Sequence, residues 1–217
     1  MRLDMRLDMR WDMRLDMRLA DVFSFLNLSF GLAGIGYAFS DVERAALFVY
    51  LAALMDGADG YIATRKGNSD FGRELDSLAD LVSFGVLPAI MLWSTSQNLF
   101  PIALAYLIAG AFRLARFNVT GSNDFVGMPI TASGLLLAAV IHLSFFQLAP
   151  FLAIVLTLLM VSRWRYVKIR DMSLLSLFAA VLIVSVFVRD ASYALIFFTA
   201  TYAAYPLVEV VRNVRKS

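Results

Sequence analysis

Apolar residues run through this chain in long blocks, without the strict alternation of strands or the single apolar stripe of a soluble surface helix. Eight blocks are readable, at about 22–39, 45–64, 74–93, 98–117, 130–147, 149–162, 172–188 and 191–210. A bilayer-crossing helix needs roughly 20 such residues, and the sixth block is short of that. The pattern predicts an all-α, polytopic helical membrane protein with about eight transmembrane helices. Ahead of the blocks, residues 1–19 read MRLD MRLD MRWD MRLD MRL, a four-residue repeat broken only by Trp11. On a helix each Arg and Asp would meet its own copy at i+4, which is unfavourable. As a strand it would put charge on every even position. Residues 1–19 are therefore expected to be a low-complexity tail with no catalytic role, and residues 20–217 the integral-membrane domain. Each repeat holds a Met, so the natural start is expected further in, at Met17 for instance. The functional alternative is an interfacial anchor, with Arg on headgroups and Leu, Met and Trp11 in the acyl boundary.

Composition sharpens the membrane reading. Of 217 residues, 60% are hydrophobic and 17% charged, and the mean hydropathy is +0.74. Soluble domains of this length rarely look so apolar. There is no cysteine, which excludes disulfides and thiolate metal sites. The first residues are charged throughout, unlike a cleavable signal peptide.

The net charge of +2 says little, but its placement says much. With the N-terminus inside, 17 of the 19 Lys and Arg fall on the inner side, leaving Arg44 and Arg189 outside. That asymmetry predicts an even number of spans with both termini cytoplasmic. The basic residues sit in short loops between spans, which argues against nucleic acid. The cluster Arg163, Trp164, Arg165 and Lys168 reads as a loop lying on anionic membrane lipids.

The stretch DGADGYIATRKGNSDFGRELDSLAD, residues 56–80, carries the candidate chemistry. Asp56 and Asp59 are three apart near the end of the second block, and Asp76 and Asp80 four apart at the start of the third. Each pair shares a helix face. A short connection makes the two helices antiparallel neighbours, so four carboxylates can converge just inside the cytoplasmic surface. Unpaired, they would repel at a site poor in water. Divalent cations remove the repulsion, and oxygen ligands without His or Cys favour Mg²⁺, Mn²⁺ or Ca²⁺ over Zn²⁺. Four Asp can hold two ions, the arrangement used in phosphoryl-type displacements. Alternatively, these Asp cap helices or pair with Arg65, Lys66 and Arg73. Gly57, Ala58, Gly60 and Ala63 leave room for a ligand or let the backbones close up.

This stretch resembles the signature of the CDP-alcohol phosphotransferases, D-x-x-D-G-x-x-A-R-(x)8-G-x-x-x-D-x-x-x-D. The matching residues are Asp56, Asp59, Gly60, Ala63, Gly72, Asp76 and Asp80. Where the family has Arg after Ala, this chain has Thr64 and then Arg65, and the interval to Gly72 is one residue shorter. GRELDSLADLVSFGVLPA (72–89), FRLARFN (112–118), FVGMPITASG (125–134) and DVFSFLNLSFG (21–31) are similar to the serine-using branch. The likeness covers most of residues 21–170 and implies a six-helix core, here with two helices added.

In such enzymes the CDP pyrophosphate lies on two metal ions, Mg²⁺ or Mn²⁺, with Ca²⁺ a non-productive occupant. The resemblance makes Asp56, Asp59, Asp76 and Asp80 metal ligands and Asp80 also the general base. Asp80 would take the proton of the L-serine hydroxyl, which attacks the β-phosphorus and expels CMP. A placed base aids a weak alcohol nucleophile by about 10²–10⁴-fold. Asn27, Gly60, Ala63, Arg65 and Gly72 are the expected CDP-lipid contacts, and Arg113, Arg116 and Asn118 the expected serine contacts. Two Arg at i, i+3 suit a carboxylate. His142, the lone histidine, reads as a packed residue. The expected partners are CDP-lipid, L-serine and membrane lipids, at the cell membrane with the site facing the cytoplasm, and a homodimer is allowed. Glycerol phosphate or inositol phosphate as acceptor would call for more basic residues around the site. A divalent-cation transporter would show an inverted repeat, and the Asp motif has no second copy.

Overall fold

In the computed structural model of the protein, residues 19–66, 69–120, 125–167 and 171–214 are described. The tail of residues 1–18 lies outside the described residues, as do the side chains of Ala63, Arg65 and Lys66. Among the described residues eight helices follow one another: α1 (Leu19–Tyr37), α2 (Val42–Lys66), α3 (Asp70–Thr95), α4 (Phe100–Thr120), α5 (Ile130–His142), α6 (Ala149–Val161), α7 (Met172–Phe187) and α8 (Ser192–Val214). The fold is all-α, as the block pattern predicts. The one addition is an antiparallel bridge of two-residue strands, β1 (Phe125–Val126) and β2 (Arg165–Tyr166).

The helices run up and down. The start of α1, the end of α2, the start of α3, the end of α4 and the start of α5 meet at one end, through Ser24–Asp59, Asn27–Asp80, Ser77–Asn118 and Thr131–Asp56. At the other end Glu43 near the start of α2 meets Ser144, after α5, and Arg189, between α7 and α8. By length and composition, Val42–Ile62, Asp70–Thr95 and Gln97–Thr120 suffice to cross a membrane. Helices α5 and α6 have 13 residues each, or about 20 Å of rise.

The fifth block was expected to stay helical to residue 147, but α5 stops at His142. Ser144 takes a left-handed conformation (φ 61°). Its N–H bonds to the Ile141 carbonyl and the N–H of Phe145 to the Val140 carbonyl. That is the Schellman pattern, with serine where glycine is usual. The Ser144 hydroxyl then donates to Glu43.

Helix α5 is apolar all round and buried at every position from Ser133 to His142, as a central helix must be. It packs against α2, α3, α6 and α8. Its far end carries a buried polar trio, in which His142 Nδ1 lies 3.0 Å from Ser192 Oγ and 3.3 Å from the Tyr50 hydroxyl. His142 is thus packed, as expected. Close approach to α3 depends on Gly134, where a Cβ would stand 2.9 Å from the Cα of Phe84 and 3.0 Å from its carbonyl oxygen. Backbone cannot yield as a flexible side chain can, and overpacking costs about 1–3 kcal/mol or more. Gly134→Ala is therefore expected to lower the melting temperature in detergent by several degrees, which a thermal unfolding scan would measure.

Candidate functional site

Helix α2 continues past the acidic residues to Lys66, so Asp56 and Asp59 project from one face of an unbroken helix. Ser69 starts α3 by accepting the Gly72 N–H at 2.9 Å, an N-cap of ordinary kind. Gly72 is buried in that first turn, and Asp76 and Asp80 follow at one and two turns beyond it. The two helices bring Asp56, Asp76 and Asp80 together, with a carboxylate oxygen of each within 4.8 Å of the others.

Each carboxylate is steered by a neighbouring helix. Asn27 Nδ2 donates to Asp80 Oδ1 at 3.0 Å from α1. Ser24 Oγ donates to Asp59 Oδ2 at 2.6 Å, also from α1. Thr131 Oγ1 reaches Asp56 Oδ2 at 3.4 Å from α5. Asp59 stands outside the tight group of three but within hydrogen-bonding reach of Asp76. Ser24 and Thr131 were not anticipated. Both are ordinary helix residues in sequence, and only the packing of α1 and α5 aims them at the carboxylates.

Three acidic groups this close, Asp80 buried and Asp56 and Asp76 half-buried, repel one another, and the buried Asp76 Oδ1 has no hydrogen-bond partner among the described residues. The donors are all oxygen, as hard divalent cations require. The residues present therefore fit a divalent ion.

Immediately after Asp80, α3 changes to a π-helical stretch from Leu81 to Val86, a feature that often marks functional sites. Its carbonyl at Phe84 accepts from the buried Tyr106 hydroxyl at 3.0 Å. Ser83 Oγ donates to the Asn27 carbonyl at 2.9 Å. A Cβ at Gly31 would collide with Ser83. The π turn is thus held from α1, α4 and α5, and it fixes the helix that carries Asp80.

The expected serine contacts separate. Arg113 is 5% exposed, and the charges of Asp80 and Asp56 act on it. Its guanidinium carbon lies 5.4 Å from the centroid of the Phe117 ring. Arg116 turns instead to α6, donating to the carbonyls of Met160 at 3.1 Å, Val161 at 3.2 Å and Ser162 at 3.2 Å, and also to that of Val126. These include carbonyls that a helix C-terminus leaves without partners, and a cation there is favourable. Arg116 therefore ties α4 and α6 to the β1 turn. At Gly127 (φ +80°) a side chain would meet the Met160 carbonyl and the Arg116 guanidinium. Asn118 is engaged with Ser77, at 3.1 Å from its Nδ2, and with Glu74 at 3.3 Å.

Among the expected CDP-lipid contacts, Asn27 is fully buried beside Asp80, and Gly72 is buried in the first turn of α3. Gly60 faces open space, with nothing within 4 Å of where a Cβ would stand. The side chains of Ala63 and Arg65 lie outside the described residues.

A model of the CDP-alcohol phosphatidyltransferase family matches residues 17–162. The CDP-diacylglycerol–serine O-phosphatidyltransferase of Methanocaldococcus jannaschii is 34% identical, over 90% of this chain and 95% of its own. The archaetidylserine synthase of Methanothermobacter thermautotrophicus is 32% identical, over 71% of each chain. The CDP-diacylglycerol–serine O-phosphatidyltransferase of Bacillus subtilis is 42% identical, over 46% of this chain and 60% of its own.

Proposed function

Because this chain belongs to the CDP-alcohol phosphatidyltransferase family, we propose that it transfers the lipid phosphoryl group of a CDP-linked lipid to the hydroxyl of L-serine, releasing CMP. The observation that carries this reading is the meeting of Asp56, Asp76 and Asp80 within 4.8 Å beside the buried Arg113. The names of the relatives support serine as acceptor.

Asp56, Asp59, Asp76 and Asp80 would hold Mg²⁺ or Mn²⁺. Such ions, when bound, offset the charge of the carboxylates and of the CDP pyrophosphate. Asp80 accepts the serine hydroxyl proton. The serine oxygen bonds to the β-phosphorus, the bond from that phosphorus to the CMP oxygen breaks, and CMP leaves. Asn27 holds the Asp80 carboxylate in place for that transfer. The open face at Gly60 leaves room for the nucleotide, with Ala63, Arg65 and Gly72 along the same stretch.

Arg113 is the serine-carboxylate contact, since it is buried where the charges of Asp80 and Asp56 act on it, while Arg116 turns away to the carbonyls of α6. A guanidinium offers two parallel donors, which an ammonium cannot copy. Arg113→Lys is expected to raise the serine KM about tenfold or more, with the CDP-lipid KM little changed. Steady-state kinetics would measure both, and an equal rise in the two would reassign Arg113 to the phosphates.

The chain crosses the membrane eight times, with both termini and the carboxylate site on the cytoplasmic side. The 17-to-2 division of Lys and Arg supports this, as does the up-and-down order of the helices. Deleting residues 2–16 is expected to leave an active, membrane-inserted enzyme, because the site begins at α1. A correctly inserted but inactive truncation would contradict that.

The whole reading is tested by CMP release from CDP-diacylglycerol in detergent with Mn²⁺ or Mg²⁺. Serine should support release and glycerol 3-phosphate should not. The reverse preference would overturn serine as the acceptor.

A further inference from the structure

Asn27 is 0% exposed, and its two amide atoms have different fates. Nδ2 donates to Asp80 Oδ1 at 3.0 Å. Oδ1 is buried and has no hydrogen-bond partner among the described residues. Rotating the amide would not help, because it would turn the oxygen toward the Asp80 carboxylate. The backbone at this residue is fixed as well, since the Asn27 carbonyl accepts from Ser83 in the π turn. An unpaired buried acceptor costs about 1–3 kcal/mol, so a substrate that brings a donor to it is favoured over one that does not.

Distance decides what that donor can be. The N and O of an amide are about 2.3 Å apart, so Oδ1 lies within about 5.3 Å of the Asp80 oxygen that Nδ2 touches. A hydroxyl handing its proton to Asp80 sits roughly 2.7 Å from a carboxylate oxygen. A nitrogen on the next carbon is about 3 Å from that hydroxyl by covalent geometry. A donor vicinal to the reacting hydroxyl is long enough to close this ring with one hydrogen bond to Oδ1.

We propose that Asn27 is a specificity-determining residue, which fixes Asp80 with its amide nitrogen and receives the ammonium group of a vicinal amino alcohol with its amide oxygen. The inference rests on the transferase reading above and deepens it. Arg113 takes the carboxylate of the acceptor, and Asn27 takes the amine.

The test compares CMP release by the full chain in detergent, with CDP-diacylglycerol and Mn²⁺, using L-serine and 3-hydroxypropionate, which keeps the hydroxyl and carboxylate but lacks the amine. The parent should prefer serine by about 10²-fold or more in kcat/KM. In Asn27→Leu the rate should drop with either acceptor, because Asp80 is no longer held, and the preference should shrink about tenfold or more. Asn27→Asp keeps acceptor oxygens but removes the donor to Asp80. Its rate should fall while its preference for serine persists. If both variants turn over too slowly to assay, thermal protection by each acceptor in the presence of CMP and Mn²⁺ gives the ratio of their affinities, which should shrink in Asn27→Leu as well. An unchanged ratio in Asn27→Leu overturns the proposal. So does a raised CDP-lipid KM at constant ratio, which would make Asn27 a contact to the lipid nucleotide. A parent that releases no CMP with serine would instead sink the acceptor assignment itself.

Discussion

Asp76→Asn is expected to abolish CMP release at every serine concentration, by on the order of 10³-fold or more. Asp76 sits between the acidic residues of α2 and Asp80, shares the 4.8 Å group with Asp56 and Asp80, and is within reach of Asp59. Its buried Oδ1 has no hydrogen-bond partner among the described residues, which fits the proposed role of cation ligand. Asparagine has the same size, so packing survives. The charge is lost, and an amide N–H₂ is placed where a hard cation needs oxygen. Folding should not suffer, since one of three crowded carboxylates has been neutralised. Without metal the variant should melt at or above the parent temperature. With Mn²⁺ the parent should rise by the binding free energy of the ion, and the variant should not. The pair of melts separates a lost ligand from a broken fold. Near-parent turnover in Asp76→Asn would remove these carboxylates from the chemistry altogether.

The helices and the acidic pairs could be read along the chain because both are local patterns. Eight apolar blocks became eight helices among the described residues, and the three- and four-residue spacings put Asp56 with Asp59 and Asp76 with Asp80 on shared faces. Where the chain depends on distant contacts, the reading was coarser. The fifth block looked helical to residue 147, yet α5 ends at His142. Ser144 turns left-handed there, and Glu43, a hundred residues away in sequence, receives its hydroxyl. Nothing in an apolar run announces such an end. The π turn after Asp80 is equally silent in LVSFGV, because it depends on Gly31, Tyr106 and Gly134 in three other helices.

The arginines illustrate the same limit within the site. Arg113 and Arg116 share a broad helix face at i, i+3, so spacing alone made them equivalent. Their neighbours make them different. Arg113 is buried where the charges of Asp80 and Asp56 act on it, and Arg116 turns to the last carbonyls of α6. A guanidinium held by four carbonyls is a fastening between helices, and the bridge of β1 to β2 lies directly beside it. Asn27 moved in the other direction. By resemblance it was expected to contact the CDP-lipid, and in the fold it is the partner of Asp80.

Asp80→Asn should separate chemistry from binding. Asp80 is 7% exposed, held by Asn27 at 3.0 Å and carried on α3 directly before its π turn. A base must be fixed this way, because a misplaced carboxylate loses the geometry that makes proton transfer efficient. Removing it should lower kcat about 10²–10⁴-fold. Asp56, Asp59 and Asp76 remain to hold the divalent ion, so the KM for CDP-lipid should change only a few-fold. The Mn²⁺ concentration giving half-maximal rate should rise less than in Asp56→Asn. Full kinetics in both substrates at several Mn²⁺ concentrations would distinguish the roles. If the affinity for CDP-lipid instead collapses as far as in Asp76→Asn, Asp80 serves chiefly as a metal ligand. The hydroxyl proton must then leave by another group, and the hold of Asn27 on Asp80 would matter for shaping the ion site more than for aiming a base.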